Sequence, residues 1–300
     1  MTANDQLQFD TQHEDMIHDA QLDYYGKRLA TCSSDGSIRL FDVSDKQQKF
    51  ITALKGHTGP VWQVAWAHPK FGSVLASCSY DGSVLIWKDN AVIYKHDQHQ
   101  ASVNAIAWAP HELGPMLLCG SSDGQISLLK FNGTWEAQMI RQAHATGVNA
   151  VSWAPVVAAE GNTAQSGGLR QQFATGGCDN QIKIWAEDNQ TYSVKQTLDG
   201  HSDWVRDVAY APNIGLPRTY LASCSQDKQV FIWNQETSGQ NSEWKRQQLS
   251  FSDVVWRVSW SMAGNILAVS CGDNTISLWK ENVKGEWECI SKVDESGAKE

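Results

Sequence analysis

An aspartate followed six residues later by a large apolar side chain recurs along this 300-residue chain. The pairs are Asp35–Phe41, Asp81–Trp87, Asp123–Leu129, Asp179–Trp185, Asp227–Trp233 and Asp273–Trp279, with steps of 46, 42, 56, 48 and 46 residues between successive aspartates. A period in the forties is the mark of a solenoid, propeller or array built from like units. A second landmark keeps the same phase. His57, His99, His144 and His201 each precede Trp66, Trp108, Trp153 and Tyr210 by nine residues, with Val61, Val103, Val148 and Val205 four after the histidine. His13, with Ile17 and Leu22, opens a weaker first copy; Phe251, with Val255 and Trp260, opens a sixth that lacks the histidine. The copies run over about 13–54, 55–97, 98–142, 143–198, 199–249 and 250–293, between an N-terminal segment 1–12 and a polar tail 294–300.

The second copy shows what one unit can fold into. It holds four short apolar runs with period-two alternation, VWQVAWA, VLASCS, SVLIW and AVIYK, separated by Gly, Pro, Asp and Asn. Such punctuation reads as strands and turns. No stretch keeps a helical apolar stripe for three turns, so helices are not expected. The YDGS and SDGS links predict tight hairpins with Gly82 or Gly124 at positive φ. A four-stranded sheet that is apolar on both faces is unstable alone and must sit between neighbours. Repetition about an axis gives an all-β, six-bladed propeller.

The histidine near the start of the unit, the aspartate in the hairpin and the tryptophan six later resemble the WD-repeat family. The resemblance implies a hydrogen-bonded clip in each blade: His57, Asp81 and Trp87 with a hydroxyl from Ser77 or Ser79, then His144, Asp179 and Trp185, and His201, Asp227 and Trp233. A catalytic His–Asp–Ser set would occur once, whereas this group recurs, so the reading is structural. Cys32, Cys78 and Cys224 lie three before the repeat aspartate, and Cys119, Cys178 and Cys271 within four of it. They are expected in the second strands as small buried hydrophobes. No C-x-x-C or Cys/His cluster with metal-ligand spacing is present; His96 and His99 are a weak pair across a blade link. No cofactor or metal is expected.

All six copies contain their own four strands, from IHDAQLD in the first to EWECISKV in the last. The expectation is therefore an open propeller, with no strand shared across the seam. A segment of another protein would enter between the end blades and complete the wheel in trans by strand addition. The positions assigned to that seam are Ile17, Leu22, Leu29, Ile38 and Leu40 on one side. Opposite them are Trp256, Trp260, Leu267, Ile276, Leu278 and Trp287. Alternation says that one set of side chains faces the seam, but not which set. The alternative is that QLQF, residues 6–9, closes the ring as an extra strand.

Long stretches are also similar to the small propeller subunit of the COPII outer coat, a subunit that also serves in the Y-shaped scaffold of the nuclear pore. They include IHDAQLDYYGKRLATCSSDGSIRLFDV, GPVWQVAWAHPKFGSVLASCSYDGSVLIWK, NAIAWAPHELGPMLLCGSSDG, GHSDWVRDVAYAP and WKENVKGEW. The resemblance implies a non-enzymatic scaffold for endoplasmic reticulum to Golgi transport. Its implied partners are a large α-helical coat subunit, an α-helical nuclear pore scaffold subunit and a nutrient-signalling coat-like complex. The implied location is the cytoplasm, on COPII vesicles and the cytoplasmic face of the endoplasmic reticulum, and the nuclear pore.

Charge supports part of this. The formal net charge of −9 disfavours direct nucleic-acid binding or an electrostatic hold on an anionic membrane. Membrane association is expected only peripherally, through the coat. The opening MTANDQLQFD has neither a basic flank nor an apolar run, so no secretory leader is expected, and an odd seven cysteines suit a reducing compartment. The rival function is a peptide-reading WD-repeat adaptor of ubiquitin-ligase or chromatin type. Arg206 and Arg257 are its candidate anchors, blunted by Asp203, Asp207 and Asp253. No phosphate cradle, nucleophile elbow or H-E-x-x-H helix marks an enzyme.

One departure is the stretch VVAAEGNTAQSGGLRQQ, residues 156–172, which lengthens the fourth copy. Its composition is that of a surface loop. Deletion of residues 158–170 is expected to leave folding intact, checked by a thermal melt that stays within a few degrees of the parent.

Overall fold

The computed structural model describes residues 9–45, 48–156, 171–213, 218–236 and 243–294. They form six four-stranded antiparallel sheets, each built from four strands consecutive in sequence. The first sheet uses Ile17–Leu22, Arg28–Ser33, Ser37–Asp42 and Lys49–Lys55. The second uses Val61–Trp66, Val74–Ser79, Val84–Lys88 and Ala91–His96. The sixth uses Val255–Trp260, Ile266–Cys271, Ile276–Glu281 and Trp287–Val293. The only helical turns among the described residues are two 3₁₀ turns, Pro69–Phe71 and His111–Leu113, where Pro and Gly bracket the link after the first strand. No helix among the described residues is long and apolar enough to cross a membrane.

The chain divides into two compact units: residues 1–123 with 127–139, and residues 124–126 with 140–300. Within the first, the second sheet is sandwiched. One of its faces, with Leu75, Leu85 and Trp87, packs on Ala30, Cys32, Ile38 and Leu40 of the first sheet. Its other face, with Ala76, Cys78, Val84 and Ile86, packs on Val103, Ile106, Leu117 and Leu129 of the third. Period-two alternation thus sends the repeat tryptophan toward the preceding sheet and its sequence neighbours toward the following one. Within the second unit, Trp233 packs among residues of the fourth and fifth sheets, and Trp279 lies against the core shared by the fifth and sixth.

The expected hairpins form. Gly82 and Gly124 have φ of 79° and 76°. Asn180, Lys228 and Asn274 take the equivalent position in the last three sheets, at φ of 66°, 66° and 63°. Cys32, Cys78, Cys119, Cys224 and Cys271 are buried in second strands, as expected. Cys178 departs from that expectation: its strand ends at Gly177, and the thiol is half-buried beside Asn149.

His96 occupies a place that other sheets give to an aliphatic side chain. It pairs with Val84 as Leu54 does with Ile38, Leu198 with Ile182 and Leu249 with Val230. Both ring nitrogens are buried without a hydrogen-bond partner, and the ring meets His99 edge-on at 5.3 Å. His99 is already committed to Asp123 and Ser127. Among the described residues no group of three or more His, Cys, Asp or Glu could hold a metal. Burial, helped by His99, lowers His96 from 6.5 to about 4, so folding favours the neutral ring.

Two predictions follow from this packing. A Cβ at Gly124 would sit 2.8 Å from the carbonyl oxygens of His144 and Thr146, whereas one at Gly26, also at positive φ, meets nothing within 4 Å. Gly26→Ala is expected to cost about 1 kcal/mol and Gly124→Ala about 3 kcal/mol, by urea unfolding. For His96, the unfolded ring binds protons that the folded one refuses, so stability is full above pH 6.5 and falls as the pH drops toward 4. His96→Leu is expected to flatten that fall and to add about 1 kcal/mol at neutral pH, by removing an unmet buried polar group.

Candidate functional site

Each clip is built on a buried hydroxyl. In the second sheet Trp87 Nε1–H donates to Ser77 Oγ at 2.8 Å, and Ser77 Oγ lies 2.7 Å from His57 Nε2. His57 Nδ1 faces Asp81 Oδ2 at 3.2 Å. With Nδ1–H donating to the carboxylate, Nε2 accepts a hydrogen bond from the Ser77 hydroxyl, and both ring nitrogens are satisfied. Burial lowers His57 and keeps its ring neutral, with Asp81 pulling the other way. Burial also pushes the Asp81 carboxyl up, but the hydroxyl and amide of Ser83, the amide of Thr58 and His57 together bring it to about 2. Ser79, the other candidate hydroxyl, instead caps the Asp81 amide and donates to the Gly59 carbonyl.

The connectivity matches a catalytic triad in outline, yet Ser77 has no exposed surface and its oxygen already accepts from an indole. No substrate can reach it. The group recurs as His144–Asp179–Thr175–Trp185 and His201–Asp227–Ser223–Trp233. The first sheet keeps His13, Asp35 and Thr31 with Phe41 in place of the indole. In the third, Cys119 stands where Ser77 does, and Ser127 on the neighbouring strand supplies the hydroxyl to His99. The sixth has Phe251 edge-on to Trp279 and a Ser252–Asp273 bond in place of the imidazole.

A second repeated contact joins sheet to sheet. Trp66 Nε1 donates to the Gln21 carbonyl, Trp108 Nε1 to Ala65 and Trp260 Nε1 to Ala209, at 2.9–3.1 Å. Each indole reaches back to the preceding sheet. The equivalent position in the first sheet is Leu22, which pairs with Leu29 as Trp66 does with Leu75. Leu22 has no donor and is 55% exposed.

The positions assigned to a partner separate into two groups. Ile38 and Leu40 lie in the core shared with the second sheet, and Trp260, Leu267 and Trp287 in or against that shared with the fifth. These five are corrections: they pack on a neighbour within their own unit and present no free face. Trp256 lies at a strand start, over the Arg206 guanidinium. Leu22 and Leu29 lie on the opposite face of the first sheet from Ile38 and Leu40. Pairing places Leu22, Leu29, Phe41 and Phe50 in one apolar row across all four strands. Phe9 packs edge-on against Phe41 at 5.2 Å, and Phe50 remains half exposed. Residues 6–8 of the proposed closing strand, and most of the 156–172 insertion, lie outside the described residues. On the sixth sheet, Leu278 pairs with Ala268, and Ile276 with Ser270 and Val293, on the face away from the fifth sheet. Leu278 is half-buried and Ile276 exposed, and Ile17 is an exposed strand start.

Sequence reasoning named Phe9 only in the alternative closing strand and Phe41 only as the repeat aromatic, and missed Phe50, because the pattern alone makes the two faces of a sheet equivalent. The Phe41-for-Trp exchange was the available signal, since Trp87 points to the first sheet and Trp233 to the fourth.

Comparison with known proteins agrees with this geometry. The model of the WD domain, G-beta repeat, matches residues 5–42, 48–88, 90–128, 135–186, 192–234 and 245–280. Its frame ends each repeat after the third strand, one strand out of phase with the sheets as they fold here. The protein transport protein SEC13 of Mycosarcoma maydis is 48% identical, covering 98% of this chain and 96% of that protein. The SEC13 homolog of Drosophila melanogaster is 51% identical over 93% of this chain and 82% of its own length. The SEC13 of Yarrowia lipolytica is 54% identical, over 94% and 98%. With matches of this extent across six sheets, the chain belongs to the WD-repeat family, as an all-β six-bladed propeller of the SEC13 group.

Proposed function

We infer that the chain serves protein transport as a structural subunit of the COPII outer coat, carrying no catalysis of its own. Its SEC13 relatives are named for protein transport. The clips give the sheets that carry them a rigid frame in which the repeated polar groups are consumed internally, as suits a scaffold and not an active site.

In this proposal the work is done by accepting a foreign sheet. The observation that carries it is the Leu22–Leu29–Phe41–Phe50 row. It is an apolar sheet face on which, among the described residues of its own unit, no other sheet packs and Phe9 alone meets Phe41 from outside the sheet, at the position where other sheets use an indole to bond backward. The Leu278 and Ile276 face of the sixth sheet is the second candidate surface. A sheet donated by a large α-helical coat subunit would bury either face as its own sheets bury one another. An α-helical nuclear pore scaffold subunit could use the same chemistry, as could a nutrient-signalling coat-like complex. The corresponding locations are the cytoplasm, the vesicle and endoplasmic reticulum surfaces reached through the coat, and the nuclear pore.

Co-purification with the large α-helical subunit of the COPII outer cage tests this. Leu22→Asp and Leu278→Asp are each expected to cut the recovered complex about tenfold or more while the free chain melts as before. Leu40→Asp is expected to destabilise the chain itself, because Leu40 sits in the core shared by the first two sheets. Undiminished recovery with the first two variants would overturn the assignment.

A further inference from the structure

In the second unit, Trp204 and Trp256 are 45% and 47% exposed, large areas for indoles in a chain whose other tryptophans are mostly packed. Between them lies Arg206. Its guanidinium carbon is 5.2 Å from the Trp204 ring and 4.8 Å from the Trp256 ring. Two flanking indoles hold a cation by its faces and shield it from water. The Arg206 guanidinium bonds the Gln226 side-chain oxygen, a neutral acceptor, while Nε is buried with no partner. Among the described residues it makes no ion pair.

Carboxylates are close in sequence but spent elsewhere. Asp203 accepts the Trp204 amide and Asp253 the Val254 amide. Asp207 accepts the amides of Val208 and Val258. Asp227 is tied to His201 and to the Ser202 and Gln229 amides, and Asp273 to Ser252 and Thr275. The aspartates that sequence places beside this arginine close their own turns or bind the next strand and make no ion pair with it, although their charges remain nearby.

We propose that Trp204, Arg206 and Trp256 form a recognition site for a carboxylate side chain on an extended acidic segment of a partner protein. The carboxylate pairs with the guanidinium edge, and an adjacent apolar side chain packs on the exposed indole surface. Charge complementarity selects this occupant: among the described residues the Arg206 cation has no ion pair, and a carboxylate is the counter-charge it lacks. Its apolar flanks strengthen an ion pair by excluding water. This site shares no residue with the sheet faces proposed above, so either can fail alone.

The test is fluorescence anisotropy of a labelled peptide repeating Glu-Leu-Pro, titrated with the full-length chain, against Gln-Leu-Pro and Lys-Leu-Pro counterparts. The glutamate peptide is expected to bind about tenfold or more tightly than the glutamine one, and the lysine peptide not to bind. Arg206→Ala is expected to remove that preference, and Arg206→Lys to keep part of it. Trp256→Ala, which leaves the charge and strips one flank, is expected to weaken binding of the glutamate peptide. Melting curves matching the parent establish that each variant is folded. Equal binding of the glutamate and glutamine peptides, preference for lysine, no binding at all, or an unaltered affinity in Arg206→Ala would each overturn the proposal.

Discussion

A serine oxygen without access to water holds the second blade together. Ser77 accepts a hydrogen bond from the Trp87 indole and donates one to His57, so a single hydroxyl ties the third strand to the loop that enters the blade. Asp81 completes the path by binding that loop and the hairpin at once. Removing one member leaves the others buried and unmet, a cost larger than the bond itself. The arrangement therefore behaves as a unit. The substitution of threonine for serine in the fourth blade, and the relocation of the hydroxyl in the third, keep the unit while changing its residues.

Packing between sheets rests on a second regularity. Each internal sheet is apolar on both faces, and the repeat aromatic marks which face looks back. Where Trp87 fills that role it is almost wholly buried; where Phe41 does, in the first sheet, the cover comes from Phe9 and Phe50. Phe9 from the N-terminal segment and Phe50 from the same sheet do by edge-on contact part of what a neighbouring sheet does for the second blade. Such a cover is local and small, and it leaves Leu22 and Phe50 with half their surface free.

Much of this was legible in the residues. Strand number, hairpin position and the φ of Gly82 and Gly124 follow from spacing and turn chemistry, and the clips at His57, His144 and His201 from the resemblance to WD repeats. The orientation of each face was not legible. Alternation along SIRLF assigns Ile38 and Leu40 to one side and Phe41 to the other, but it carries no label for inside. Only pairing with the second sheet supplies one, and it reverses the assignment of Ile38 and Leu40. The site around Arg206 was hidden for a related reason. Sequence places Asp203 and Asp207 beside it, and only the backbone geometry shows their oxygens turned onto amides.

The back-reaching indoles give the stack a direction, like overlapping roof tiles. Every tile fastened by Trp66, Trp108 or Trp260 carries its own nail, driven into the tile before it. The first tile carries none. Polarity built into one side chain thus fastens each such sheet on one side only, and Leu22 offers a covering surface apolar contact without a directed bond.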